Sequence, residues 1–346
     1  MRRRQLLTSL TLTAAATAGP PLVRPGEPAD EADAGGLLID RVRDAMLGLG
    51  PAPADVSAEH LQLALSAAHT DFHSCRYLRL ADRLPLLLAT AHATADGTTG
   101  SAALLAEVYT LITRMLVKLD DQQLGWMAAD RARVLAAGAE RPLLVAEAAR
   151  QMAVLARKAG WHEQAMTIAL NAADHPALTD ATDLRYAAER GLLLQSAAYT
   201  AARAGDAAGM RELTGQAAAI AARLAAGPLL LRDHGGGFTP ATVQLHRISA
   251  EYAAGDVGAA IAAARQLRPA GLPTIERRAR YYTDLARAHH LAGCRDQCLA
   301  ALLAAERHAP QETHARPAVR DLVQSLLITG RTSPPLRGLA LRCGIT

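Results

Sequence analysis

One phrase recurs along this chain and leaves few folds open to it. A helical stretch ends in Ala-Gly or an equivalent, a polar turn follows, and the next helical stretch carries small residues at fixed offsets. Ala159-Gly160 is followed by Ala165, Ala169 and Ala172, Ala254-Gly255 by Ala260, Ala264 and Leu267, and Ala292-Gly293 by Cys298, Leu302 and Ala305. Looser copies begin at Ala204-Gly205 and at Leu119-Asp120-Asp121, the latter with Gly125, Ala129 and Ala132. The joints at 120, 160, 205, 255 and 293 stand 38 to 50 residues apart. Glycine at such a joint supplies a left-handed cap that turns the chain sharply. Small residues on the second helix let its backbone approach the first. Each pair buries only part of its apolar surface, so pairs must stack. The expectation is an all-α solenoid of about five to six helix pairs.

Composition agrees. Of the 346 residues, 78 are Ala and only 3% are aromatic. That mixture favours helices and leaves little material for strands. A net charge of +4 is too small to read as a nucleic-acid footprint. The four cysteines are scattered, so no disulfide framework is expected. The repeating unit resembles a degenerate tetratricopeptide repeat, with units longer than usual.

Longer phrases carry a closer resemblance. They are Leu116-Val-Lys-Leu-Asp-Asp-Gln-Gln-Leu-Gly-Trp126, Ala198-Tyr-Thr-Ala-Ala-Arg-Ala-Gly-Asp206, Leu272-Pro-Thr-Ile-Glu-Arg-Arg-Ala-Arg-Tyr281 and Ala301-Leu-Leu-Ala-Ala-Glu-Arg-His-Ala-Pro310. Together they resemble the C-terminal sensor half of XRE-type helix-turn-helix transcriptional regulators of actinobacteria, from about residue 55 onward. The resemblance implies a tetratricopeptide-like repeat domain over 55–346 that senses a ligand or binds a protein. In that family a DNA-binding domain precedes the repeats. Here a linker-like segment stands in that place, so direct DNA binding is not expected of this chain.

Residues 1–54 read as a flexible N-terminal segment. Arg3-Arg4-Gln5-Leu6-Leu7, a short apolar run and Ala16-Thr17-Ala18 also look like a twin-arginine-type export signal over 1–18. The resemblance to cytoplasmic regulators makes the cytoplasm the expected location. An exported scaffold, or a regulator truncated at its start, is the alternative. The apolar run is too short for a stable membrane span.

Chemistry-bearing motifs are few. His289, His290, Cys294 and Cys298 lie close together, but Cys298 stands at a small-residue packing position and reads as a core residue. The Gly-rich Asp233-His-Gly-Gly-Gly237 lacks the Lys of a phosphate-binding loop and reads as a connection between repeats. No catalytic residue, metal or cofactor is expected, and the chain reads as a non-enzyme. Trp126 and Trp161 follow joints and are expected to plug the space between neighbouring pairs.

The first helix of each pair lines the groove in tetratricopeptide repeats. On that alignment the resemblance implies a ligand-binding groove of Arg114, Lys118, Arg150, Arg157, Gln195, Tyr199, His246, Arg280, Asp284 and Arg287. Both lysines of the chain lie on the first helices, with Arg114 and Lys118 spaced to share one helix face. The expected occupant of this basic groove is an acidic or carboxylate-ended ligand, a peptide first, or a protein partner, with homodimerisation a further expectation.

Overall fold

The computed structural model describes residues 33–179, 183–224 and 237–345. Its five joints share one backbone conformation. Gly160, Gly205, Gly255 and Gly293 have φ of 83°, 86°, 83° and 71°, and Asp120 takes φ 63° without a glycine. At each joint the next N–H bonds to the carbonyl five residues back. Asp121 donates to Leu116, Trp161 to Ala156, Asp206 to Ala201, Asp256 to Glu251 and Cys294 to His289, all at 2.9–3.0 Å. This closes the last helical turn and satisfies an otherwise orphaned carbonyl.

All regular structure among the described residues is helical. Three helices come first: α1 (Ala34–Met46), α2 (Ala58–His73) and α3 (Tyr77–Ala93). The five jointed pairs follow. They are α4 (Thr99–Leu119) with α5 (Gln122–Gly138), α6 (Pro142–Lys158) with α7 (His162–Ala173), and, after the short α8 (Pro176–Thr179), α9 (Leu184–Arg203) with α10 (Ala207–Leu224). The last two are α11 (Pro240–Ala253) with α12 (Val257–Arg265), and α13 (Ile275–Leu291) with α14 (Arg295–His308). Three short helices end the chain: α15 (Pro310–Ala315), α16 (Pro317–Ile328) and α17 (Pro334–Arg342). Inner helices α4, α6, α9, α11 and α13 pack each against the next. The expected all-α solenoid is therefore the fold. No helix among the described residues is long and apolar enough to cross a membrane.

The small residues after the joints are interior except Ala172, which is half-buried. Ala129, Ala165, Ala169, Ala260, Ala264, Cys298, Leu302 and Ala305 are all buried, and Met210 and Ala217 occupy the matching places of the third pair. The same steric demand explains one glycine. A Cβ at Gly191 on α9 would lie 2.1 Å from Cζ of Phe238, a buried ring that precedes α11.

The solenoid closes on itself. α1 packs on α15, α2 touches α13, and one apolar cluster joins α1–α5 to Ala279 and Ala309. Gly35 lies so close to Ala315 that a Cβ there would stand 2.8 Å from the alanine methyl. Polar contacts seal the seam. Leu78 N donates to Gln311 Oε1 (3.2 Å), Cys75 Sγ to Glu312 Oε2 (2.8 Å), and Lys118 Nζ reaches Glu276 (2.7 Å) and Glu312 (2.8 Å).

Three expectations need correction or limits. The flexible segment does not extend to residue 54: α1 buries Ala34, Leu38, Val42 and Met46 in the core. An apolar face repeating at helical spacing outweighs the Gly and Asp around it. The tryptophans do not plug the interior either. Trp161 is 54% exposed and packs against a half-buried Trp126 with ring centroids 5.3 Å apart, a pair at the surface beside the second joint. The export-like residues 1–18 and the glycines at 235 and 236 lie outside the described residues.

Candidate functional site

All ten residues assigned to the groove line one cavity of about 470 Å³. It is bounded by the inner helices, by Phe72 of α2, and by Arg316 at the start of α16. The helix spacing explains the convergence. On α13, Glu276, Arg280, Asp284 and Arg287 fall on one face, as Gln195 and Tyr199 do on α9. Residues the pattern missed are Phe72, Glu276, Arg277 and Arg316. Glu276 and Arg277 were legible in principle from the α13 spacing. Phe72 and Arg316 come from the two ends of the chain and become neighbours only when the solenoid closes.

The lining is strongly cationic. Ten Arg or Lys side chains face three carboxylates, Asp120, Glu276 and Asp284. Some of the cations are compensated. Arg150 donates to both oxygens of buried Glu147 at 2.7 Å. Burial works against the Arg150 cation, but that carboxylate outweighs it and holds the group above its ordinary range. Burial raises the Glu276 carboxyl, yet Lys118 and Arg277 outweigh it and keep it well below the usual carboxylate range. Arg280 and Arg287 share Asp284 at 3.3 and 4.0 Å. Ser249 Oγ donates to the same carboxylate and accepts from Arg280 at 3.1 Å.

Arg157 is held differently, by neutral groups. Arg157 Nη1 donates to the carbonyl and hydroxyl of Ser196 (3.2 and 3.3 Å) and to Thr200 (3.4 Å), and its guanidinium lies 4.7 Å from the Tyr199 ring centroid. No carboxylate among the described residues pairs with it. Burial, helped by the charges of Arg280, Arg150 and Arg203, pulls the Arg157 guanidinium down to about 10. Arg277 is pulled to about 10 by burial and by its cationic neighbours, against the opposing effect of Glu276. Arg114 lies 4.2 Å over Phe72, and Arg287 lies 4.7 Å over Tyr252. His246 is driven well below its ordinary range by burial and by Arg280 and Arg277, so the imidazole is neutral. Its Nε2 then accepts from Arg277 at 3.2 Å.

Lys118 lines the cavity but is already engaged. Its bonds to Glu276 and Glu312 tie α4 to α13 and α15, which makes it a seam residue as well as a wall residue. Behind the wall, the Glu189 carboxyl is fully buried near Glu147, Arg150 and Arg114. Burial and the Glu147 charge push it well above the carboxylate range, outweighing the two arginines. The burial favours its neutral, protonated form.

No family model and no curated protein matches this sequence. A solved structure described as the crystal structure of BtubC (BKLC) from P. vanneervenii is similar at 15% identity over 81% of this chain and 96% of that one, with a TM-score of 0.39. So remote a likeness carries neither fold detail nor function across.

Proposed function

We propose that this chain is a non-enzymatic ligand sensor or protein-interaction module, related to the XRE-type regulators its phrases resemble, that holds an anion in the arginine-rich cavity. The supporting observation is the way Arg157 is held. A guanidinium fixed by an aromatic face and neutral oxygens is oriented but keeps its charge uncompensated. Burying such a charge costs free energy that an anionic ligand would recover. The geometry also speaks for binding rather than catalysis. Burial raises the Cys75 thiol and pushes those of Cys298 and Cys343 up to about 11, so none of these three is a ready nucleophile. His246 spends its basic nitrogen on Arg277.

A cytoplasmic protein of this kind would signal by changing the closure of its ring or its self-association when the ligand binds. The test is calorimetric titration of the full chain at low salt with small carboxylate and phosphate anions and an acidic peptide. Binding by at least one, weakened about tenfold or more in Arg157→Leu, is the expected result. Wild-type protein that takes up none of them would overturn the anion reading.

A further inference from the structure

We propose that the occupant of the cavity is a compact nucleotide, its phosphate groups gripped by Arg157, Arg280 and Arg287 and an edge of its base paired with Gln195. This rests on the reading of the cavity as an anion site and goes further in naming the ligand class. Three observations carry it.

The first is closure. An open tetratricopeptide groove takes an extended chain lying along successive inner helices. Here the ends of the solenoid meet, with Lys118 bonded to Glu276 and Glu312 across the seam. A cavity of about 470 Å³, walled by inner helices and closed off at the seam by Phe72 and Arg316, suits a small molecule better than a running peptide.

The second is charge density. Ten cationic side chains meet five carboxylates, the three of the lining and Glu147 and Glu312 behind it, which leaves more positive charge than one carboxylate ligand neutralises. A phosphate monoester carries about 1.5 to 2 negative charges near neutral pH, and a diphosphate carries more within the same few ångströms. The guanidinium fork matches two phosphate oxygens at once. Arg157 has neutral partners only, and Arg280 and Arg287 share the single carboxylate of Asp284.

The third observation is Gln195. Its side chain lines the cavity and is 3% exposed, and neither its amide nitrogen nor its amide oxygen has a hydrogen-bond partner among the described residues. A buried primary amide left so is costly, and it asks for a ligand offering an acceptor and a donor side by side. The edges of nucleobases present that pair. Gln195 and Arg157 line the same cavity, and Arg157 is held there by Ser196, the residue after Gln195 on α9. The Tyr199 ring is already covered by Arg157. The base is therefore read by its edge, with Leu192 and Val154 supplying apolar wall.

The test is calorimetry on the full chain at low salt with inorganic pyrophosphate, the four common nucleoside diphosphates, and tri-glutamate, repeated on Gln195→Leu and Arg157→Gln. Thermal melts check that both variants fold. At least one nucleoside diphosphate should bind more tightly than pyrophosphate. Gln195→Leu should remove that advantage, about tenfold, and leave pyrophosphate unchanged. Arg157→Gln should weaken both. Tri-glutamate binding without any phosphate compound would overturn the nucleotide and leave the anion reading standing. Pyrophosphate binding with no gain from any base, or equal loss of both ligands in Gln195→Leu, would overturn the role of Gln195. Silence from all the probes would overturn the anion reading itself.

Discussion

At the scale of single residues, the tightest constraint is steric. Gly191 sits in the middle of α9 because the Phe238 ring fills the space a methyl would take. Gly191→Ala should destabilise by about 1–3 kcal/mol through overpacking. The sign should reverse in a Phe238→Ala background. There the ring is gone, and alanine gains about 1 kcal/mol over glycine inside a helix. Urea denaturation of the four proteins in the cycle measures both effects. Glu189 makes a pH-dependent prediction. Its folded pKa is raised, so the folded state keeps a proton that the unfolded chain releases above about pH 4.3. Stability therefore falls as pH rises from there, by up to about 1.4 kcal/mol per pH unit for this one group. Glu189→Gln keeps the neutral shape and should be close to wild type at pH 5 but more stable at pH 8. Parallel stability curves for the two proteins would show that Glu189 is ionised in the fold. Neither residue was legible beforehand. Gly191 answers to a ring 47 positions away in the sequence, and Glu189 to a carboxylate on another helix. Trp161 misled for a related reason: large apolar size suggests burial, but its neighbours cover only half of it.

Helix joints belong to the scale of elements. Gly255 has φ 83° and open space where a Cβ would be, so Gly255→Ala carries only the left-handed backbone cost, about 1–2 kcal/mol. Asp120 has the same conformation without glycine. Asp120→Gly should relieve that strain while losing a solvent-exposed ion pair with Lys158, a net gain of up to about 1 kcal/mol. The opposite signs, read from thermal melts at equal concentration, test whether one backbone geometry serves all five joints. The joints were legible because their chemistry is local. A cap, a turn and a packing helix occupy some fifteen consecutive residues around Gly160. The groove residues were legible for the same reason, since helical spacing places Arg150 and Arg157 on the inner side once the joint is known. Helix α1 was hidden because its apolar face, Leu38, Val42 and Met46, acquires meaning only against distant partners, as Gly35 does against Ala315.

For the whole molecule the decisive feature is the seam. Lys118, 12% exposed as a side chain, neutralises two buried carboxylates from the far end of the chain. Lys118→Met strips that charge and leaves Glu276 to Arg277, and Glu312 to Arg316. The expected cost is about 2 kcal/mol, less than that of a fully stranded buried charge, since each carboxylate loses its lysine but keeps one arginine. Small-angle scattering should show a larger radius of gyration as α1–α3 part from α13–α15. The cause can be separated from lost packing by changing Glu276 and Glu312 to Gln in the same protein. With no carboxylate stranded, much of the stability should return even though no ion pair is restored. If the triple variant stays as unstable as Lys118→Met, the seam depends on the lysine's contacts rather than on charge balance. A scattering profile unchanged in Lys118→Met would mean that the apolar cluster joining Ala279 and Ala309 to the first helices holds the ring alone. Either result bears on binding. The cavity wall includes Lys118, Glu276 and Arg316 at the seam itself, so an anion entering there competes for the same charges that close the ring. Ligand affinity and ring closure are then linked quantities, and the variant that opens the ring must also bind its anion differently.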